Sequence, residues 1–345
     1  MIREFEISEF LLKAKTSPIL DVRSPGEFAK GHITGAYNLP LFTDEERAKI
    51  GTIYKQVSKE QAVLVGLDLV GPKMRFFVEE AKRISPERDV LVHCWRGGMR
   101  SQSMAWLLST VGMKVAILKG GYKTYRQHIR QDFSCRRQLL ILGGMTGTGK
   151  TDILKELKNF NFQILDIEEI ANHMGSAFGG LGRIQPTNEQ FENDLFHSLS
   201  SLHKNKLILV EDESRHVGHC QLPSTFYDLI KHGKILKLNL SRSLRVKRLV
   251  KDYEAISKEL LAHAFKNIAE RLGGLSTSKA LEALAQGDYA TATDIALDYY
   301  DKAYNYGLTK RKPEQLIDFD LYTDDAYENA KRVADFIHCL EEKHD

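Results

Sequence analysis

Hydrophobic and polar positions fall into two successive series of short apolar runs separated by stretches with helical spacing. In the first series, Ser17–Val22 reads as a strand ending near Asp21, and Glu27–Lys30 opens a short helix. Asp89–His93 is a continuous apolar run that flows into a loop at Cys94. Ser101–Val111 puts Met104, Leu107, Leu108 and Val111 on one helical face, and Gly112 ends it. Lys114–Leu118 is the next strand. The second series begins with a strand at Gln138–Leu142, then the glycine-rich Gly143–Thr151, then a helix over Asp152–Asn159. Further strands are expected at Gln163–Asp166, Leu207–Val210 and Lys234–Leu240, and from about Leu244 the pattern is mostly helical. Strand–helix alternation of this kind predicts parallel sheets. The expected class is α/β, with two parallel-sheet domains and a mostly helical C-terminal part. The polar stretch Gln131–Arg137 divides them, giving domains at 1–133 and 134–345.

Composition agrees with two cores. The 345 residues are too many for one typical core, and 42% are hydrophobic against 28% charged. No run approaches the roughly 18 apolar residues of a membrane span, and the N-terminus has no basic start before an apolar stretch. A cytoplasmic protein with no membrane partner is expected. The four cysteines, Cys94, Cys135, Cys220 and Cys339, form no CxxC pair. Zinc and dithiol motifs are therefore absent, no metal ligands are assigned, and any thiol chemistry falls to a single cysteine. A net charge of +3 neither demands nor excludes a nucleic-acid partner. Basic clusters do occur, at Arg136–Arg137, along Arg242, Arg245, Lys247, Arg248 and Lys251, and at Lys310–Lys312.

Gly144-Met-Thr-Gly147-Thr-Gly149-Lys150-Thr151 fits G-x-x-x-x-G-K-[ST] in full. An apolar strand precedes it and a helix follows, as a phosphate loop requires. The glycines let backbone N–H groups close around a phosphate, and the helix N-terminus adds partial positive charge. Lys150 reaches the outer phosphate and the Thr151 hydroxyl can hold Mg²⁺. The bland alternative is a glycine turn before a helix. Such a loop binds a diphosphate and specifies no nucleoside. The run Leu207–Val210 leads into Glu211-Asp212-Glu213, where a carboxylate can orient Mg²⁺ or water; Glu211 is assigned, with a solvated strand end as the alternative. Arg245 and Arg248 share a helical face that either closes over phosphates or is a solvated basic surface. Arg183 is a further candidate anion ligand.

Cys94-Trp-Arg-Gly-Gly-Met-Arg100 follows a buried strand and precedes a helix. A loop of this spacing turns its backbone N–H groups toward the sulfur, and the helix dipole with Arg100 favours the thiolate nucleophile. Inert packing is the alternative for a lone cysteine. Cys94 and Arg100 are assigned to the chemistry.

The run from Asp21-Val-Arg23 through Glu27-Phe28, Gly31-His32-Ile33 and Gly35-Ala36 to Asn38-Leu-Pro40 resembles the N-terminal signature of rhodanese domains. Within it Asp21, Arg23 and His32 read as architectural. A rhodanese-like domain followed by a P-loop resembles the tRNA 2-selenouridine synthase family. Gly120-Gly121-Tyr122-Lys123, Gln185-Pro186-Thr187 with Phe191, Glu211–Arg215 with Gly218, and Tyr299-Tyr300-Asp301 with Tyr304 agree. The resemblance spans essentially the whole chain and implies a tRNA-modifying transferase. In that family the wobble 2-thiouridine is S-geranylated with geranyl diphosphate, and selenium from selenophosphate then replaces the geranylthio group. The resemblance implies that Cys94 carries or delivers selenium, that no cofactor is permanently bound, and that tRNA and a selenophosphate-supplying enzyme are partners. The P-loop is expected to hold the prenyl diphosphate. Three rivals stand beside this: a P-loop ATPase or kinase coupled to sulfur transfer, a binding protein with a nucleotide switch, and a phosphatase acting through Cys94. Tyr299–Tyr306 read first as a helical core stripe and second as base-stacking aromatics.

Overall fold

The computed structural model describes residues 2–173, 184–254 and 256–341. It divides into two units, Met1–Phe133 with Glu192–His197, and Ser134–Phe191 with Ser198–Asp345.

The first unit is built on five parallel strands, β1 (Arg3–Phe5), β2 (Ile19–Asp21), β3 (Tyr37–Asn38), β4 (Asp89–His93) and β5 (Lys114–Leu118), in the order β1-β5-β4-β2-β3. Strand β4 is central, and Val90 to His93 are buried, which is why it reads as an unbroken apolar run. Leu20, Val22, Val90, Val92, Met104 and Leu108 meet in one core. Each fully buried leucine or valine of this kind contributes roughly 1.5–3 kcal/mol. Three helices between β3 and β4, Asp44–Gln56, Lys59–Val70 and Met74–Ile84, were not foreseen from the pattern. Their sequence carries the signals all the same. Thr43 caps the first in a capping box with Glu46, and Ser58 accepts from the Gln61 N–H at the start of the second.

The second unit has five further parallel strands, β6 (Leu139–Gly144), β7 (Gln163–Leu165), β8 (Ile208–Glu211), β11 (Lys234–Asn239) and β12 (Leu316–Asp320), in the order β12-β11-β6-β8-β7. A small antiparallel ribbon joins β9 (His216–Val217) to β10 (Cys220–Gln221). The C-terminal part is mostly helical, with Tyr253, Leu261, Phe265 and Leu284 in its own core. Strand β12 interrupts that helical series. Its Leu316-Ile-Asp-Phe-Asp320 sequence suits a half-covered edge strand, and it pairs with Ile235 to Asn239 of β11. Among the described residues no helix is long and apolar enough to cross a membrane.

Candidate functional site

The first unit presents its chemistry at the C-terminal end of β4, where ligands gather in open parallel sheets. Cys94 leaves β4, and Gly98 begins the helix Met99–Thr110. The Cys94 side chain is buried, with Sγ 3.3 Å from the Ser101 hydroxyl. That hydroxyl also lies 3.0 Å from the Gly98 carbonyl oxygen, so it can donate to the carbonyl beside a thiol or to the sulfur of a thiolate. Ser101 was missed from sequence, where it passes as one more position on a helix.

The loop is held from beneath by the turn after β5. The Tyr122 N–H donates to the Cys94 carbonyl at 2.9 Å and the Lys123 N–H to that of Trp95 at 3.0 Å. Gly121 has φ +61° and lies so close that a Cβ would overlap the Cys94 carbonyl oxygen. Arg100, expected to favour the thiolate, turns its fork to Glu27 instead. Its Nη1 donates to Glu27 at 2.6 Å and Nη2 at 3.3 Å. Burial alone would lift the Glu27 carboxyl, but Arg100, the Ser24 N–H and Arg47 together hold it below its ordinary value.

Asp21 and Arg23 behave as framework. Both are essentially inaccessible, Arg23 Nη2 donates to Asp21 at 2.6 Å and to the Gly31 carbonyl at 2.7 Å, and its guanidinium stacks 3.8 Å over Tyr122. Burial would raise the Asp21 carboxyl, yet His93 and Arg23 hold it low. His93 is wholly buried, and that burial depresses its pKa. His32 stacks on Phe28 with ring centroids 3.8 Å apart.

In the second unit the loop after β6 opens the helix Lys150–Glu156. Gly144, Gly147 and Gly149 all have positive φ. At Gly147 a Cβ would meet Leu249 at 2.9 Å and the Arg245 carbonyl at 3.1 Å, so only glycine fits beneath the covering helix Arg242–Glu254. Lys150 Nζ donates to the Gly144 carbonyl at 2.8 Å, and the Gly144 N–H donates to the Tyr304 hydroxyl at 2.7 Å. The Thr151 hydroxyl lies 3.2 Å from Glu168 and 3.3 Å from Glu211.

Of the three acidic residues after β8, Glu211 is the one that faces Thr151. Asp212 is taken by Arg311 at 2.5 Å. Glu211 and Glu213 join Glu168 in a cluster whose carboxylate oxygens lie within 4.8 Å of one another. Burial first, then Glu168, pushes Glu211 up to about 8; burial also raises Glu168, and burial with both neighbours raises Glu213. Among the described residues Glu211 Oε1 is buried without a hydrogen-bond partner. Three crowded carboxylates, one orphaned oxygen and the Thr151 hydroxyl fit a hard divalent cation such as Mg²⁺. Sequence reasoning missed Glu168, although it stands just past β7 at the same sheet end as Glu211.

The covering helix does lie on the loop, with its arginines committed. Arg245 is buried, pairs with Asp301 at 2.7 Å and donates to the Thr146 carbonyl at 3.1 Å. Arg248 pairs with Asp152 beside Gly149. Arg311 is largely buried on Asp212, so Arg248 and Arg311 are bound internally rather than offered to RNA. Tyr299 and Tyr300 pack on the helical core, while Tyr304 serves the loop. Arg183 lies outside the described residues.

A rhodanese-like domain model matches residues 7–128, and the tRNA 2-selenouridine synthase AAA domain model matches residues 137–328. Curated relatives bear the name tRNA 2-selenouridine synthase. The one from Nitrosomonas europaea is 39% identical over 246 residues, which are 69% of this chain and 63% of the relative, so the match spans under two thirds of that protein. The relative from Hydrogenovibrio crunogenus is 34% identical over 86% of this chain and 91% of its own length. That from Shewanella denitrificans is 34% identical over 93% and 95%. On matches that run nearly the full length of both partners, the chain belongs to the tRNA 2-selenouridine synthase family.

Proposed function

We propose that this chain is an enzyme that converts the wobble 2-thiouridine of tRNA into 2-selenouridine in two steps. First, the 2-thio sulfur bonds to C1 of geranyl diphosphate as the C1–O bond breaks, and diphosphate leaves with loss of the N3 proton. Second, the selenium of selenophosphate bonds to C2 as the C2–S bond breaks and geranylthiol leaves with a proton, and water then cleaves the Se–P bond and releases phosphate. The P-loop, through Gly144 to Gly149, Lys150 and Thr151, clamps the leaving diphosphate, and Cys94 carries or delivers selenium. Mg²⁺ held by Thr151, Glu211 and Glu168 would neutralise charge on the diphosphate. The tRNA is the macromolecular partner, and a selenophosphate-supplying enzyme is the upstream one.

The observation that carries this reading is the pairing, in one chain, of two different anion cradles. One holds a buried thiol beside Ser101, and the other is a phosphate loop with Lys150 at its helix start. Alkylation turns a poor sulfur leaving group into a good one, and a clamped diphosphate eases the first step. The cluster at Thr151 also supports a second reading, nucleotide hydrolysis coupled to sulfur transfer, because a hydrolytic P-loop uses the same kind of carboxylate.

The test is mass spectrometry of nucleosides from 2-thiouridine tRNA, incubated with the purified chain and geranyl diphosphate, then selenophosphate. S-geranyl-2-thiouridine followed by 2-selenouridine is expected. Unchanged tRNA with ATP hydrolysis that depends on Lys150 would install the second reading instead.

A further inference from the structure

The structure assigns a prenyl subsite to the first unit: the apolar cavity beside Cys94 receives the geranyl chain carried on the sulfur of the alkylated base. This rests on the two-step reading above and adds a location to it. The cavity measures about 930 Å³ and is lined by the helices Asp44–Gln56 and Lys59–Val70 on one side and by the Cys94 loop with Met99 on the other.

Size and polarity carry the argument. A selenide or sulfide on Cys94 needs only a small polar cradle, which Ser101 and the loop supply. The cavity is far larger and belongs to the class that takes drug-sized apolar molecules. Its walls include Phe42, Ile50, Val63 and Val70. Leu67 is 62% exposed, Tyr54 55%, Met99 49% and Trp95 37%, and all four line this one cavity. Large apolar groups left open together mark a surface that awaits an apolar ligand.

Charge indicates what the ligand is attached to. Lys55 and Arg96 line the same cavity, which suits the phosphates of an RNA strand. Tyr54 and Trp95 offer faces on which a splayed base can stack. An apolar chain borne by an RNA base, with its reacting carbon brought toward Cys94, answers all three features. A free prenyl diphosphate would place its charge at the P-loop instead.

The experiment measures affinity of the full chain for synthetic anticodon stem-loops carrying S-geranyl-2-thiouridine, S-methyl-2-thiouridine or 2-thiouridine, by fluorescence anisotropy. The wild type is expected to bind the geranyl RNA roughly tenfold or more tighter than the S-methyl RNA. Leu67→Glu, at an exposed position, should cut that preference to about twofold or less while S-methyl binding and the melting temperature stay at wild-type values. Lys150→Ala should keep the preference. No preference in the wild type, a full preference in Leu67→Glu, or its loss in Lys150→Ala would each overturn the assignment. Because the RNAs are synthetic, this outcome is separate from the geranyl-transfer assay. Wild-type transfer activity with an undiminished preference in Leu67→Glu removes the subsite alone, whereas absence of any transfer removes the two-step reading.

Discussion

The Cys94 loop and the phosphate loop occupy the same position in two parallel sheets, after a central strand and before a helix, yet their surroundings are opposite. Around Cys94 the charges are already matched: Asp21 with Arg23, and Glu27 with Arg100. Around Thr151 they are not. Glu168, Glu211 and Glu213 crowd together, and Lys150 is turned back onto a backbone carbonyl. The first loop is therefore complete as it stands and offers one side-chain atom for chemistry. The second is built around a deficit of positive charge and offers backbone and counter-ion to a ligand. On the proposed function, the same fold feature serves a carrier in one unit and a clamp in the other.

The sharpest way to break this comparison is to disable each loop in turn. Cys94→Ser should abolish 2-selenouridine while S-geranyl-2-thiouridine still forms and tRNA affinity is kept, as read by nucleoside mass spectrometry and a binding titration. Lys150→Ala should do the reverse and lower geranyl transfer about a thousandfold, the scale on which a lost charge-stabilising donor is felt. Equal effects of both variants on both steps would show one site rather than two. Next in size is Asp21→Asn. It leaves Arg23 buried without its counter-charge and should destabilise the first unit by about 3 kcal/mol in urea unfolding, with diphosphate binding by the second unit intact.

The unmatched charge of the second unit is exposed by pH. Glu211 titrates near 8 in the folded chain against 4.5 for a free glutamate. Between those values the folded carboxyl keeps a proton that the unfolded chain has released. Stability of the second unit should therefore fall as pH rises from about 5 to 8, by on the order of a few kcal/mol. Glu211→Gln should flatten that slope in melting curves, and added Mg²⁺ should restore stability at the alkaline end. A slope that survives in Glu211→Gln would place the proton elsewhere. The smallest effect is expected for Tyr304→Phe. Without the hydroxyl that accepts from Gly144, the loop should lose about 1 kcal/mol of support and about fivefold in diphosphate affinity by calorimetry.

Both loops were legible in the sequence because their information is local. Gly144 to Thr151 must be contiguous to wrap a phosphate, and Cys94 to Arg100 must be contiguous to turn a strand into a helix. What surrounds them was not legible, because it is brought from a distance. Glu27 reaches Arg100 only through packing of the strand β2 region on β4. Glu168 reaches Glu211 only because β7 pairs with β8. Nothing in the spacing of those residues announces the meeting. The helices Asp44–Gln56 and Lys59–Val70 escaped for another reason. Much of their apolar surface faces a cavity rather than the core, so their periodicity is blunted. Strand β12 hid inside a helical region, since five residues at a sheet edge leave a weak trace.

Strand β12 also sets an order of events at the ribosome. All five strands of the first sheet have been made once Leu118 is added, whereas the second sheet waits for Leu316–Asp320. Roughly 200 residues separate the two points, which at ordinary elongation rates is about ten to forty seconds. Until then β11 presents an unpaired edge, and Arg311 has not arrived to neutralise Asp212. The sheet that carries Cys94 can be assembled while the sheet that carries Gly144 to Thr151 is still unfinished, and the nascent chain is most exposed to edge-to-edge association in that interval.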